Sequence, residues 1–424
     1  MAMLQTYARN GVPAVVLRNT LLLGAAQALV GVGNQMVPAL GSIMVVRLLG
    51  SAGLAGLGVA ILAVGRLIVA YPLGRVMDAY GRRAGLVLGL LLGMAGAGVI
   101  ALAMAIGSFA TFVLGMFLFG LGVGATQQLR VAAADMYPPD RRAQGLGLVL
   151  TATMVGALGG PALVSLAEGV AGRLDADTVV TTWLLVPAVI LPALAMVMRV
   201  HPDPRDIASQ LELYYPGYRP ETREASGGGM RGVLGSYACW TAFLCSGVAW
   251  GVMSMMMAMT SLVLEHHGHS LPAISLTVAI HVIGMFGLSL PLGRLADRLG
   301  RRPVLLLGLG ITAGGAVMVP LTSHYMAITA GLFLVGLGWS AVTVAATALL
   351  ADVTAPQQRA QAVGINDGIG AAAAVAMSFL GGPISEAWGH GALGVVSLAA
   401  AGLALLPLLA LRSAGRRGTS PQPA

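Results

Sequence analysis

Twelve apolar runs, each long enough to cross a bilayer, divide this sequence. They lie at about 18–46, 51–73, 84–106, 109–136, 143–167 and 179–199, then at 233–263, 271–292, 303–322, 325–350, 361–385 and 391–411. A helix needs roughly 20 apolar residues to span the hydrocarbon core. Inside that core each backbone N–H and C=O must find a partner in the protein, which leaves helices or a closed barrel as the spanning structures. Runs this long predict helices. The composition agrees: 57% of residues are hydrophobic and 9% charged, against about 25% charged in soluble domains. The 60 glycines suit close packing of helices in lipid. The first run is too long, and too polar at Asn34-Gln35, for a cleaved signal peptide. The two cysteines, Cys239 and Cys245, share one apolar run and form neither a disulfide framework nor a zinc pattern.

The basic residues set the expected topology. All 24 are arginine, giving a formal charge of +8, which at first sight invites a nucleic-acid partner. Their positions argue otherwise. With both termini inside, Arg75, Arg82, Arg83, Arg141, Arg142, Arg205, Arg219, Arg223, Arg294, Arg298, Arg301, Arg302, Arg359, Arg416 and Arg417 fall on the cytoplasmic side, and the outer loops receive only Arg47 and Arg173. That is the positive-inside pattern. The expectation is a multi-pass protein of the cell (inner) membrane with cytoplasmic termini, in contact with lipid and not nucleic acid.

The chain repeats itself. Gly74-x3-Asp78-x2-Gly81-Arg82-Arg83 recurs as Gly293-x3-Asp297-x2-Gly300-Arg301-Arg302. Ala134-Asp135, Pro139, Arg142-Ala143-Gln144 and Gly147 recur as Ala351-Asp352, Pro356, Arg359-Ala360-Gln361 and Gly364. Gly159-Gly160-Pro161 recurs as Gly381-Gly382-Pro383, and the three offsets are 219, 217 and 222 residues. Near-constant offsets mark a duplicated unit. The predicted fold is an all-α membrane protein, with twelve transmembrane helices in two pseudo-symmetric six-helix bundles. Residues 1–199 form the first bundle and 233–424 the second, with a short cytoplasmic tail. Residues 200–232, rich in proline and glycine, form a cytoplasmic linker.

The Gly-x3-Asp-(Arg/Lys)-x-Gly-Arg-Arg loop resembles motif A of the major facilitator superfamily. The second copy matches through Asp297-Arg298; the first has Ala79 where the family carries a base. The resemblance covers the whole chain and implies a secondary transporter working by alternating access. Each loop's acid can pair with charges at neighbouring helix ends, gating the outward-facing state and releasing during the inward swing. Arg130, Asp135 and Arg142 are candidate partners for Asp78; Asp352 and Arg359 are candidates for Asp297. The alternative is plain topology anchoring by snorkelling arginines. Gly147-x8-Gly156-x3-Gly160-Pro161 partly resembles the helix-5 motif of proton-coupled antiporters, but Val164-Ser165 replaces its closing Gly-Gly.

Substrate choice points to helices 7 and 8. Met253-x3-Met257 and His281-x3-Met285 each place two side chains on one helix face. In an antiparallel hairpin turning near His267, Met253 and His281 sit at similar depth, close to the midplane where transporters hold cargo. Facing one another, they would form a thioether–imidazole ladder suited to Cu(I). The arrangement resembles the CcoA-type copper importers, which implies Met253, Met257, His281 and Met285 as ligands and His266, His267 and His269 as outer capture groups. On this reading Cu(I) is cargo; no cofactor is expected. The competing readings are packing methionines, and an organic substrate such as riboflavin or a drug-like amphiphile. The low aromatic content, 5%, argues against an aromatic-lined cavity.

Further polar residues lie inside apolar runs: Arg66, Asn34-Gln35, Gln127-Gln128, Arg130 and Asn366-Asp367. Ionisable groups there are costly and usually functional. Asp367 is a candidate proton carrier; its alternative role is an ion pair with Arg359 or another inner-face arginine. No phosphate loop, metallohydrolase pattern or nucleophile motif is present, so the chain is expected to be no enzyme. A gradient-driven carrier of a small molecule or metal ion, working as a monomer, is expected.

Overall fold

The computed structural model describes residues 11–138, 141–216, 234–354 and 359–410. Twelve helices are long and apolar enough to cross a membrane, and no strand occurs among the described residues. We number the spans α1 (Ala14–Leu49), α2 (Leu57–Tyr80), α3 (Arg82–Ile106), α4 (Phe109–Asp135), α5 (Arg142–Leu174) and α6 (Thr178–Met198). After the connecting segment come α7 (Tyr237–His266), α8 (Leu271–Leu299), α9 (Arg301–Met318), α10 (Tyr325–Val353), α11 (Arg359–Trp388) and α12 (Gly391–Ala410). The helix α5 outlasts its apolar run, continuing past Glu168 and Arg173, because charges on its last turns can reach water.

Two spans break for a local reason. The first interrupts at Gln35, between Ala14–Asn34 and Met36–Leu49. Pro38 lacks an N–H, and its ring crowds the carbonyl four residues back, at Asn34. In the same way Pro291 crowds Gly287, where α8 divides into Leu271–Phe286 and Ser289–Leu299.

Helix packing repeats between the halves. In the first six, α1 lies on α5 and α6, α3 on α4 and α6, and α2 on α4. In the second six, α7 lies on α11 and α12, α9 on α10 and α12, and α8 on α10. Each set has its own apolar core, one around Phe112, Phe119 and Trp183 and the other around Phe243, Met256 and Leu332. The connecting segment is partly ordered, where the sequence promised only a linker. Helices Pro204–Ser209 and Leu211–Tyr214 bury Ile207 and Leu211 against the first half.

Contacts between halves run along α1–α7, α2–α11 and α5–α8. They gather at the end that carries the α1–α2 and α7–α8 turns. There the Ser42 hydroxyl donates to the Ala258 carbonyl at 2.6 Å, and Ser261 donates to Pro38 at 2.5 Å. The α2–α11 crossing is backbone to backbone: a Cβ on Gly56 would collide with the Ser378 carbonyl, and one on Gly382 with the Gly53 backbone. At the rim, Arg47 reaches Asp177 of its own half at 3.4 Å and Glu265 of the other at 3.6 Å. We call this the sealed end, and the opposite one, with the two Gly-Arg-Arg loops, the motif end.

Gly56→Leu should therefore pry the sealed end apart. In purified protein lacking Cys239 and Cys245, a reporter Ala258→Cys should react faster with a maleimide once Gly56→Leu is added; an unchanged rate would mean that the seal does not depend on this crossing. A second test uses the rim histidines. The His390 imidazole lies 6.2 Å from that of His266, which lies 6.0 Å from that of His267. Burial, then the nearby His266 and His267, hold the His390 pKa below the ordinary histidine value. The folded state thus takes up this proton later than the unfolded state does, so His390 contributes stability that is lost as pH falls through about 6.5. The thermal midpoint should fall less between pH 7.5 and 5 in His390→Gln than in the wild type.

Candidate functional site

Away from the seal, the faces of α2 and α11 that meet there carry charged residues toward the motif end. Arg66 follows Val59 on α2 by seven residues, two turns, so it shares the face with which Val59 packs against the second half's core. Asp367 precedes Ser378 on α11 by 11 residues, three turns, and shares the face that meets Gly56. Ten residues separate Gly56 from Arg66, so both charges lie about 15 Å from the crossing, toward the motif end. Arg130 stands on Gln128–Asp135, the last piece of α4, a helix whose Gly124 packs against the Arg66 backbone. All three side chains are exposed. The expected pairing of Arg130 with Asp78 falls on a side chain outside the described residues.

The floor of the cleft is aromatic, contrary to what composition implied. Trp250 and Trp339, near the middle of α7 and α10, meet edge to face with ring centroids 4.8 Å apart. Phe286, at the break in α8, meets Trp339 at 5.9 Å. Trp250 keeps some accessible surface, whereas the Trp339 indole N–H is buried with no partner among the described residues. The Trp250 ring rests on Gly370, three residues from Asp367. Charge cluster and aromatic floor are therefore one helical turn apart, about 5 Å.

The residues expected to form a copper ladder lie on α7 and α8. The helices α7 and α8 make little contact with each other, and both lie on α10. His281 is fully buried, and its Nδ1 bonds the Leu332 carbonyl of α10 at 2.7 Å. Because a carbonyl only accepts, Nδ1 carries the proton, and Nε2 is a bare lone pair with no partner among the described residues. Around it, Thr277 bonds Thr329 at 2.9 Å and Ser289 bonds Ser340 at 3.2 Å, so α8 and α10 share a polar seam. Met253 and Met285 are buried in the second half's core, and Met257 packs against both cores. Matched depth along two helices does not set their rotation. The outer histidines also divide: His266 and His267 group with His390, while His269 stacks on Tyr325 at 5.3 Å. No group of three or more His, Cys, Asp or Glu side chains suited to a metal ion occurs among the described residues. Cys239 and Cys245 are buried free thiols.

The motif loops are built alike. Gly81 and Gly300 both carry φ near +95° with extended ψ, a conformation only glycine adopts readily, and this turns α2 into α3 and α8 into α9. Arg82 pairs with Asp135 at 3.0 Å. Arg301 pairs with Asp297 at 2.7 Å and with Asp352 at 2.9 Å. Asp135 and Asp352 thus bind the motif arginines. The side chains of Asp78, Arg142 and Arg359 lie outside the described residues. Arg302 donates to the Leu409 carbonyl at 2.8 Å, while Arg83 and Arg298 are exposed. Both sets of ion pairs stay within one half, and both are intact with the opposite end sealed. Sequence reasoning missed Asp203, which accepts from the backbone N–H of Arg82 at 3.0 Å and of Arg83 at 2.9 Å, capping α3 from the connecting segment. The Asp-Pro pair at 203–204, a helix-start signal, was its only trace.

Comparison with known proteins agrees with this architecture. An uncharacterized MFS-type transporter of Bacillus subtilis, YddS, is 27% identical over 86% of this chain and 84% of its own length. The riboflavin transporter RfnT of Brucella anthropi is 28% identical over 92% of this chain and 95% of its own. Among solved structures, a bacterial homologue of the human lysosomal transporter Spinster, in an inward-facing and unoccupied conformation, superposes with a TM-score of 0.69 at 16% identity, covering 94% of both chains. The profile of the Major Facilitator Superfamily matches residues 23–258 and 239–424, and with its twelve spans in two like-packed halves this chain is a multi-pass membrane protein belonging to that superfamily.

Proposed function

We propose that this chain is a secondary transporter that carries a small organic molecule with a planar ring through the cleft between its halves. The observation that carries this reading is the placement of an accessible Trp250, backed by Trp339 and Phe286, against Gly370, one turn from the exposed Asp367. Pockets for organic ligands combine an aromatic wall with a few convergent polar groups. The match to a riboflavin transporter along nearly its whole length supports the same substrate class. With arginines concentrated at the motif end, the positive-inside rule makes that end cytoplasmic, and the cleft then faces the cytoplasm. Alternating access would part Arg47 from Glu265 and bring the motif ends together. The Arg82–Asp135 and Arg301–Asp297–Asp352 pairs then act as braces that keep each half rigid, since they persist with the cleft open at their own end.

A Cu(I) carrier is the second reading. Only one observation favours it, the unpartnered Nε2 of His281 beside a methionine-rich helix. The commitment of His281 to Leu332 of α10 weighs against it.

Uptake separates the two. A riboflavin auxotroph expressing this chain should accumulate labelled riboflavin, and Trp250→Ala should reduce the rate roughly tenfold, the scale of losing an aromatic stacking contact. Cellular copper should be the same with wild type, Met253→Ala and His281→Ala. Copper accumulation abolished by both substitutions, without flavin uptake, would overturn the organic-substrate reading in favour of copper.

A further inference from the structure

We propose that Arg205, in the connecting segment, supplies the base that the first motif loop lacks and acts as a positioning residue for transport. Its bearing on transport rests on the reading above; its place at the loop does not.

The two loops differ at a position that duplication would make alike. At the offset of the motif A loops, Arg298 corresponds to Ala79. Arg298 stands in the last turn of α8, whereas the last turn of α2, Met77-Asp78-Ala79-Tyr80, holds no base. A helix ends in carbonyls that no N–H of its own reaches, and in a partial negative charge that a cation relieves. Here the cation comes from far along the chain. The guanidinium of Arg205, 126 residues on, donates to the Ala79 carbonyl at 3.2 Å. Its Nε lies 3.8 Å from the Asp206 carboxylate, which steadies it.

The same segment serves the other side of the turn. Asp203 accepts from the N–H groups of Arg82 and Arg83 at the start of α3, and from the N–H of Arg205 at 2.9 Å. An acid thus meets the N-terminus of α3 and a base the C-terminus of α2, each matching the dipole of the helix it touches. The second loop needs no such clasp. Its base is built in as Arg298, and Arg301 donates to the Ala296 carbonyl at 2.8 Å. Pro303 stands where α3 has Ala84, which leaves one N–H fewer to satisfy in the first turn of α9. Ile207 and Leu211, buried against the first half, anchor the clasp, so Arg205 is presented at small further cost in chain entropy.

How the motif end of α2 is held bears on the boundary between the halves. Helix α2 continues from Leu57 through Pro72 to Tyr80, and just before it Gly56 makes the backbone crossing with α11. The clasp at one end therefore sets how the other end lies on the second half.

The test begins without substrate, in purified protein lacking Cys239 and Cys245 and carrying the reporter Ala258→Cys. Adding Arg205→Ala should raise the maleimide rate about two- to fivefold, the scale of one cation at a helix C-terminus. Adding Ala79→Arg as well, which places the base within α2 as Arg298 lies within α8, should return the rate to its starting value; Ala79 is exposed, so the larger side chain has room. Ala79→Leu in its place should not. A reporter rate unmoved by Arg205→Ala would overturn the positioning role. Rescue by both Ala79 substitutions, or by neither, would overturn Arg205 as the base of the loop. In cells, Arg205→Ala should lower the maximal rate of riboflavin uptake at unchanged KM, because Trp250 is untouched, and Ala79→Arg should restore it; a raised KM at unchanged maximal rate would count against positioning. A wild-type chain that takes up no riboflavin would overturn the substrate reading alone, since the reporter does not depend on it.

Discussion

Inside hydrocarbon a backbone polar group has no water to turn to, and this one constraint decides where the molecule can be soft. Each span satisfies its own ladder, so bending within a span comes easily where proline has already removed a bond, as at Asn34–Gln35 and Gly287. Rigid helices packed in the same pattern twice leave the boundary between the halves as the place where large motion costs least. That boundary is held at one end by hydrogen bonds to carbonyls, a glycine-lined crossing and a single arginine at the rim. Contacts of this kind are close enough to exclude solvent. They are also few enough to be remade, unlike an interdigitated core.

The motif loops belong to the rigid side of that division. Gly81 and Gly300 make the turn between consecutive spans abrupt, and the arginine that follows each pins the turn to the end of α4 or α10. Asp203 adds a third tether by capping α3 from the connecting segment. With Arg18 donating to the His201 carbonyl and Asn19 to that of Pro202 at 3.1 Å, the start of this segment is fastened beneath the first half.

The fold was legible in the sequence because its signals are long or repeated. Twenty apolar residues cannot be hidden, and three motifs at near-equal offset declare a duplication. Whether Met253, Met257, His281 and Met285 meet was not legible, because spacing fixes depth and face along one helix but not the rotation between two. The residues that do set the rotation of α8 were visible, Thr277, His281 and Ser289 at intervals of four and eight, but their partners Thr329, Leu332 and Ser340 lie about 50 residues on. The aromatic floor escaped for a related reason. A count of aromatic residues over the chain says nothing of where three of them meet.

The cleft became visible only where the repeat fails. At the offset of the motif A loops, Arg66 corresponds to Met285; at that of the Ala-Asp motif, Arg130 corresponds to Thr347, Trp339 to Gly122 and Asp367 to Leu150. A duplicated scaffold can close equally well at either end, because both halves present like faces to each other. It cannot by itself bind an asymmetric solute, whose ring and polar group need different walls. Putting cations on one half, and a carboxylate and aromatic floor on the other, breaks the symmetry at the depth of the site while leaving the packing that moves the halves untouched. Departures from internal repetition are therefore as informative here as the repetition itself: on the proposed function, the repeat marks the machinery and its exceptions mark the cargo.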